Sequence, residues 1–174
     1  QTDLKDQIQN NTMYKRKKNY QLYKGRRAAI YIRVAGSECT DTMNFGQNAV
    51  RQDLEIRPYC EEKDYKLDSD HIFADRSRGT ETIEERPGLK KLLSAAKRDE
   101  FDFLVVAKMD RLARNAELLL KIIHEFEVCG VRIQSATEKI DSRNISGQQL
   151  LKTLASISRM EKEVLAKRQY HMNE

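Results

Sequence analysis

The 174-residue sequence has no tryptophan, two prolines, three cysteines and three histidines. Cys39, Cys60 and Cys129 are odd in number, form no C-x-x-C pair and have no histidine cluster beside them. That argues against a disulfide framework or a zinc site and predicts a reducing, cytoplasmic setting. His71, His124 and His171 stand at no ligand spacing from a carboxylate, and packing is the default reading for the first two. No metal or other cofactor is expected. Also missing is any apolar run near the roughly 18–20 residues that span a bilayer. No membrane association is therefore expected. The first 27 residues are polar and basic rather than a signal peptide. Internal repeats and low-complexity segments are absent as well.

What the sequence has in quantity is charge. Charged residues make up 34%, the net charge is +5, the pI is about 9.1 and the mean hydropathy is −0.75. The 39% hydrophobic share still allows a domain with a real core. The basic excess fits a nucleic-acid partner, and equally fits many solvated surfaces.

Residues 1–27 lack apolar periodicity. "YKRKKNYQLYKGRR" is a basic run with three tyrosines, readable as an arm along phosphates or as a solvated tail. Strands and helices then alternate. "AAIYIRV" (28–34) is β-branched and buried-looking, "LDSDHIFADRS" holds a short strand at 71–74, "FDFLVVAKMD" (101–110) is a second clear strand, and "VRIQSATE" (131–138) is another. Helical spacing runs over 49–65, with Pro58 as a kink or restart, over 86–101 with Pro87 in its first turn, and over 115–130 closed by Gly130. A last helix is predicted over 146–174. Its stripe Leu150, Leu151, Leu154, Ile157, Met160, Val164 and Leu165 is longer than one small sheet can cover. The expected fold is α/β, with a mostly parallel central sheet flanked by helices. The expected organisation is an arm (1–27), an α/β domain (28–145) and a long C-terminal helix (146–174).

In such sheets chemistry sits at the carboxyl ends of strands. The ends here are Arg33–Ser37, Ala74–Arg78 and Lys108–Arg114. In "KMDRLARN", a helix starting near Asp110 would set Arg111 and Arg114 on one face, with Asp110 as its cap. With Arg33, these arginines would make a site for a phosphoryl group. Taken alone, the same residues also describe a capped helix with surface arginines.

Four spaced motifs occur together: "YIRV", "FADRSRG" followed by "ERPGL", "KMDRLAR", and "MEKEVLAKR". On these, residues 28–168 resemble the serine recombinases of the resolvase–invertase family. The resemblance implies a resolvase-like fold, a serine after the first strand that attacks a DNA phosphodiester, arginines that hold the phosphate oxygens, and no metal. It implies double-stranded DNA as partner, a homodimer through the C-terminal helix, and a tetramer during recombination. Carried over by position, Arg33, Arg111 and Arg114 match phosphate-binding arginines. Asp75 and Asp110 match acidic pocket residues, Arg86 the arginine before the second helix, Arg168 a basic residue late in the long helix, and Tyr31 an aromatic of the first strand. Arg78, Lys162, Lys167 and Arg168 are expected to approach DNA.

The departures are informative. Where the family reads Y-x-R-V-S, the fifth place is Ala35, and a methyl group cannot attack phosphorus. Cys39 and Val50 stand where glutamines are usual, Arg78 where a serine is, and Lys162 where an arginine is. Ala35 could be an engineered change, a natural loss, or a sign that Ser37 has taken the role. Two residues of extended chain, about 3.3 Å each, count against Ser37. One engineered change would not explain the other departures, so a naturally altered pocket is favoured, with Arg78 filling space and adding charge. The family's DNA-binding domains are not read within these residues, so weak base recognition and salt-sensitive contact are expected. Three functions stay open at this level: a recombinase catalytic domain without its nucleophile, a dimerising DNA-associated accessory protein, and a generic α/β phosphate-binding domain.

Overall fold

The computed structural model describes residues 26–35, 42–144, 146, 152–160, 162–163 and 166, with 42–45 as backbone only. The elements run in the order β1 (Arg26–Val34), α1 (Thr42–Glu62), β2 (Tyr65–Arg76), α2 (Pro87–Lys97), β3 (Phe103–Val106), a 3-10 turn (Met109–Arg111), α3 (Ala116–Val128), β4 (Arg132–Ser135) and β5 (Ile140–Asp141). The sheet order is β2-β1-β3-β4-β5. The first four strands are parallel, and β5 closes the edge antiparallel to β4.

Strand β1 shows why the sheet is covered on both sides. Its even-numbered residues Ala28, Ile30, Ile32 and Val34 pack with Ile56, Tyr59 and Cys60 of α1. Its odd-numbered Ala29 and Tyr31 pack with Leu89 and Leu92 of α2 and Leu119 of α3. Side chains alternate across a strand, so a continuous apolar run buries both faces. The same alternation puts Arg33 on the α2–α3 side. The chain leaves β1 toward β2 and later returns to β3 on β1's other flank. That reversal makes the β1–β3 gap a topological switch point, where α/β sheets form clefts at the strand carboxyl ends.

Several sequence expectations shift. Arg26 and Arg27 already belong to β1, while residues 1–25 lie outside the described residues. Helix α1 is continuous through Pro58, on an exposed face where water can take the carbonyl that proline leaves unpaired. Strand β2 has 12 residues rather than four. His71 lies within it, Nε2 3.3 Å from Glu100 Oε2. Asp110 does not cap α3: the cap is Asn115, whose side chain accepts the Leu118 amide at 3.0 Å. Gly130 follows α3 at φ +77°, as a C-terminal stop requires. Residues 152–160 are helical, and Ile157 and Leu154 join the core beside α3. Leu150, Leu151, Val164 and Leu165, and the last helix beyond 166, lie outside the described residues. Among the described residues no helix is long and apolar enough to cross a membrane.

Candidate functional site

The carboxyl ends of β1 and β2, the 3-10 turn and the loop after β2 meet at one place. Its centre is Arg33, fully buried at 0% exposure. The guanidinium donates from Nε to the Arg111 carbonyl at 3.0 Å, from Nη1 to the Ser77 carbonyl at 2.7 Å and from Nη2 to the Asp110 carbonyl at 3.0 Å. A planar fork is what can serve three carbonyls from different segments at once. The main chain of Arg33 is clamped by Gln52, which accepts its N–H at 3.3 Å and donates to its carbonyl at 3.0 Å. Burial, then the charges of Arg114 and Arg111, pull Arg33 down to about 10 against the help of Asp110. It therefore stays charged at neutral pH.

Arg111 and Arg114 lie beside it, half-buried. The Nε atoms of both are buried without a hydrogen-bond partner. Arg111 Nε is 3.7 Å from Asp110 Oδ1, a charge contact too long for a hydrogen bond. The Arg114 amide donates to the Gly79 carbonyl at 2.8 Å. Gly79 has φ +85°, and a Cβ there would fall 2.9 Å from Arg33 Cζ. Only glycine lets this loop lie flat on the guanidinium. Ser77 Oγ and Asp110 Oδ1 are also buried without a hydrogen bond. Orphaned polar atoms are rare in folded proteins, and here most of them gather at one strand end.

Asp75 and Arg86 form a second layer. Asp75 pairs in register with Arg33 across β1 and β2. Its carboxylate accepts the amides of Gly88 at 2.7 Å and Leu89 at 2.8 Å and the Tyr31 hydroxyl at 2.8 Å. It thus caps α2, whose N-cap residue Arg86 makes no side-chain cap. Burial, with the Asp75 charge, holds the Tyr31 phenol above its ordinary range against the pull of Arg86. Arg86 is fully buried, donates from Nη1 to the Leu112 carbonyl at 2.6 Å and sits 5.7 Å over the Tyr31 ring. Burial lowers its pKa. Its Nε and Nη2 have no hydrogen-bond partner.

The structure therefore brings Arg33, Asp75, Arg86, Asp110, Arg111 and Arg114 together. Ala35 directly follows β1, two residues after Arg33, at 2% exposure. Arg78 is on the same loop but exposed, so it does not fill the pocket as its sequence position suggested. Val50 is exposed on α1, and the carboxamide that reaches the site belongs to Gln52. Lys162 is helical and exposed. Ser37, Cys39, Lys167 and Arg168 lie outside the described residues. Sequence reasoning missed Gln52 and Gly79. A glycine just past a strand end is a turn signal, but nothing local marks a glutamine as a main-chain clamp.

Comparison with known proteins bears on the family and the fold. The chain is 36% identical over 97 residues to the DNA-invertase of Enterobacteria phage P7, covering 56% of this chain and 50% of that protein. It is 33% identical over 99 residues to the serine recombinase gin of Escherichia phage Mu, covering 57% and 49%. It thus spans about half the length of the curated relatives it matches. In fold it is similar to the N-terminal catalytic domain of TP901-1 integrase, at a TM-score of 0.58 and 24% identity over 80% of this chain and 98% of that one. It is also similar to the C-terminal catalytic domain of ISC1926 TnpA, an IS607-like serine recombinase, at a TM-score of 0.55 and 25% identity over 85% and 99%. The family described as resolvase, N-terminal domain, matches residues 28–173, which take in the sheet from the third residue of β1 onward and the whole arginine cluster; the chain belongs to the resolvase family of serine recombinases.

Proposed function

We propose that this chain is the catalytic domain of a site-specific DNA recombinase that holds a DNA phosphate but, as written, does not cut it. The observation that carries this is the pairing of an assembled arginine cluster with Ala35 at the end of β1, two residues beyond Arg33. In a family member with serine there, the hydroxyl oxygen would bond to phosphorus as the bond to the 3′ oxygen breaks, leaving a 5′-phosphoserine and a free 3′ hydroxyl. Such a transition state gathers negative charge on the non-bridging oxygens. Preorganised guanidiniums then do most of the work.

The residues divide into two roles. Arg111 and Arg114, half-buried and with Nε protons unspent, are the phosphate ligands. Arg33 and Asp75 are positioning residues, because their polar atoms are committed to carbonyls and amides. Asp110 balances charge beside Arg111. Arg86 stiffens the second layer under Tyr31. Arg78, Lys162, Lys167 and Arg168 extend the contact along the duplex. The last helix, anchored by Leu154 and Ile157, forms the homodimer, and four subunits assemble for recombination.

Binding to a labelled duplex tests this. The chain is expected to bind in a salt-dependent way without a covalent protein–DNA product. Arg111→Ala and Arg114→Ala should each lower affinity about ten-fold and the salt slope by about 1. Binding that is indifferent to both changes would overturn the reading. The Ala35 methyl also suits an accessory subunit that joins active recombinases and stops them; added to a cutting relative, such a subunit would suppress cleavage in proportion to the mixed tetramers formed.

A further inference from the structure

Glu81 makes an unusual set of contacts for a loop glutamate. Its Oε1 accepts the Arg78 amide at 2.9 Å, and its Oε2 accepts the amides of Gly79 at 2.8 Å and Thr80 at 3.2 Å. Its own amide contributes to the same carboxylate. Successive backbone N–H groups converging on one point form a concave anion site. This one is built on Gly79, which has φ +85° and where a Cβ would fall 2.9 Å from Arg33 Cζ. The Gly79 carbonyl accepts from Arg114, and Arg86 lies within charge reach of Glu81. The carboxylate therefore sits in a backbone cradle at the edge of the arginine cluster.

From this geometry we infer that the amides of Arg78, Gly79 and Thr80 form a phosphate-binding site, with Glu81 as the protein's own stand-in for a phosphate of the DNA backbone. Two carboxylate oxygens and two non-bridging phosphate oxygens present similar charge and similar acceptor spacing to such amides. Glu81 reaches the cradle from one residue away, and its neighbours Thr80 and Thr82 are exposed, so the side chain can leave without disturbing the core. When duplex DNA docks on Arg111 and Arg114, the next phosphate along the strand takes the cradle and Glu81 swings out. The inference rests on the DNA-phosphate reading above.

The test uses the full chain, ¹⁵N-labelled, with inorganic phosphate and a duplex as separate probes. In Glu81→Gln, inorganic phosphate should shift the Gly79 and Thr80 amide signals to saturation, with an affinity about ten-fold tighter than in the unmodified chain. Glu84→Gln removes an exposed charge on the same loop and should behave like the unmodified chain. With duplex, Glu81→Gln should bind tighter than Glu84→Gln and show a salt slope steeper by about 1. Amides that stay still in Glu81→Gln, or two variants that behave alike, would overturn the inference. Phosphate moving the amides while no variant binds duplex would overturn the DNA reading and leave the phosphate site standing. A measurement without substitution guards against a variant that misfolds: in the unmodified chain labelled with ¹³C as well, saturating duplex should shift the Glu81 side-chain carboxyl carbon, and an unmoved carboxyl would also refute the exchange.

Discussion

Arg33 and Arg111 brace each other. Arg33 donates from Nε to the Arg111 carbonyl at 3.0 Å, and Arg111 reaches back from Nη1 to the Arg33 carbonyl at 3.5 Å. The strand that ends at Val34, just before Ala35, and the turn that carries the proposed phosphate ligands are thereby fixed to one another before any DNA arrives.

Replacing Arg33 with lysine should therefore cost stability before it costs anything else. A lysine ammonium cannot serve three carbonyls in one plane. The expected loss is about 2–4 kcal/mol, in the range for breaking a buried charged network. Urea unfolding reads it directly. An unchanged midpoint would mean that Arg33 is a ligand held loosely, not a brace.

Asp75 makes a parallel case. Asp75→Ala removes the cap of α2 and the acceptor for Tyr31 together. About 2–4 kcal/mol should be lost, combining a cap of about 1 kcal/mol with a buried charge-assisted bond. Asp75→Asn keeps one acceptor oxygen and should cost less. If both variants unfold like the parent and fail only in DNA binding, Asp75 is a pocket acid after all.

Glu81 gives a pH signature. Burial alone would raise its carboxyl, but the amides of Arg78, Glu81, Gly79 and Thr80 outweigh it and hold the group below its ordinary range. A carboxyl depressed in the folded state stabilises above the unfolded pKa, and that stability is lost as pH falls through the folded value. The melting temperature of the parent should thus fall more steeply on acidification than that of Glu81→Gln, with the gap closing below the carboxylate range. Parallel curves would show that the cradle contributes nothing to the DNA-free fold.

Much of this architecture is legible in the chain. The run Ala28–Val34, the apolar centre Leu104–Val106 and the periodic faces of α2 and α3 predict a helix-covered parallel sheet because burial on two faces needs such runs. Strand β2 reads shorter than it is because "DSD" at 68–70 carries exposed charges on an edge strand and falls in the irregularity between the Leu67 and Ile72 pairings with β1. The two residues of β5 are too few to leave a pattern. The arginines of the site could be picked out by motif, yet their division of labour could not. Whether a guanidinium meets a phosphate or three carbonyls depends on which loops fold over it, and Ser77, Gly79 and Gln52 carry no local mark of that. Asp110 looked like a helix cap because a 3-10 turn and Asn115 intervene before the helix begins.

The most direct test of the central claim is serine at position 35. A ³²P-labelled pool of random-sequence duplexes is incubated with the parent and with Ala35→Ser, and label transferred to protein is read on a denaturing gel. Ala35→Ser should acquire a covalent protein–DNA band, while the parent binds duplex and transfers none. Label transfer by the parent, or an Ala35→Ser chain that binds duplex as well as the parent yet stays unlabelled, would contradict the account.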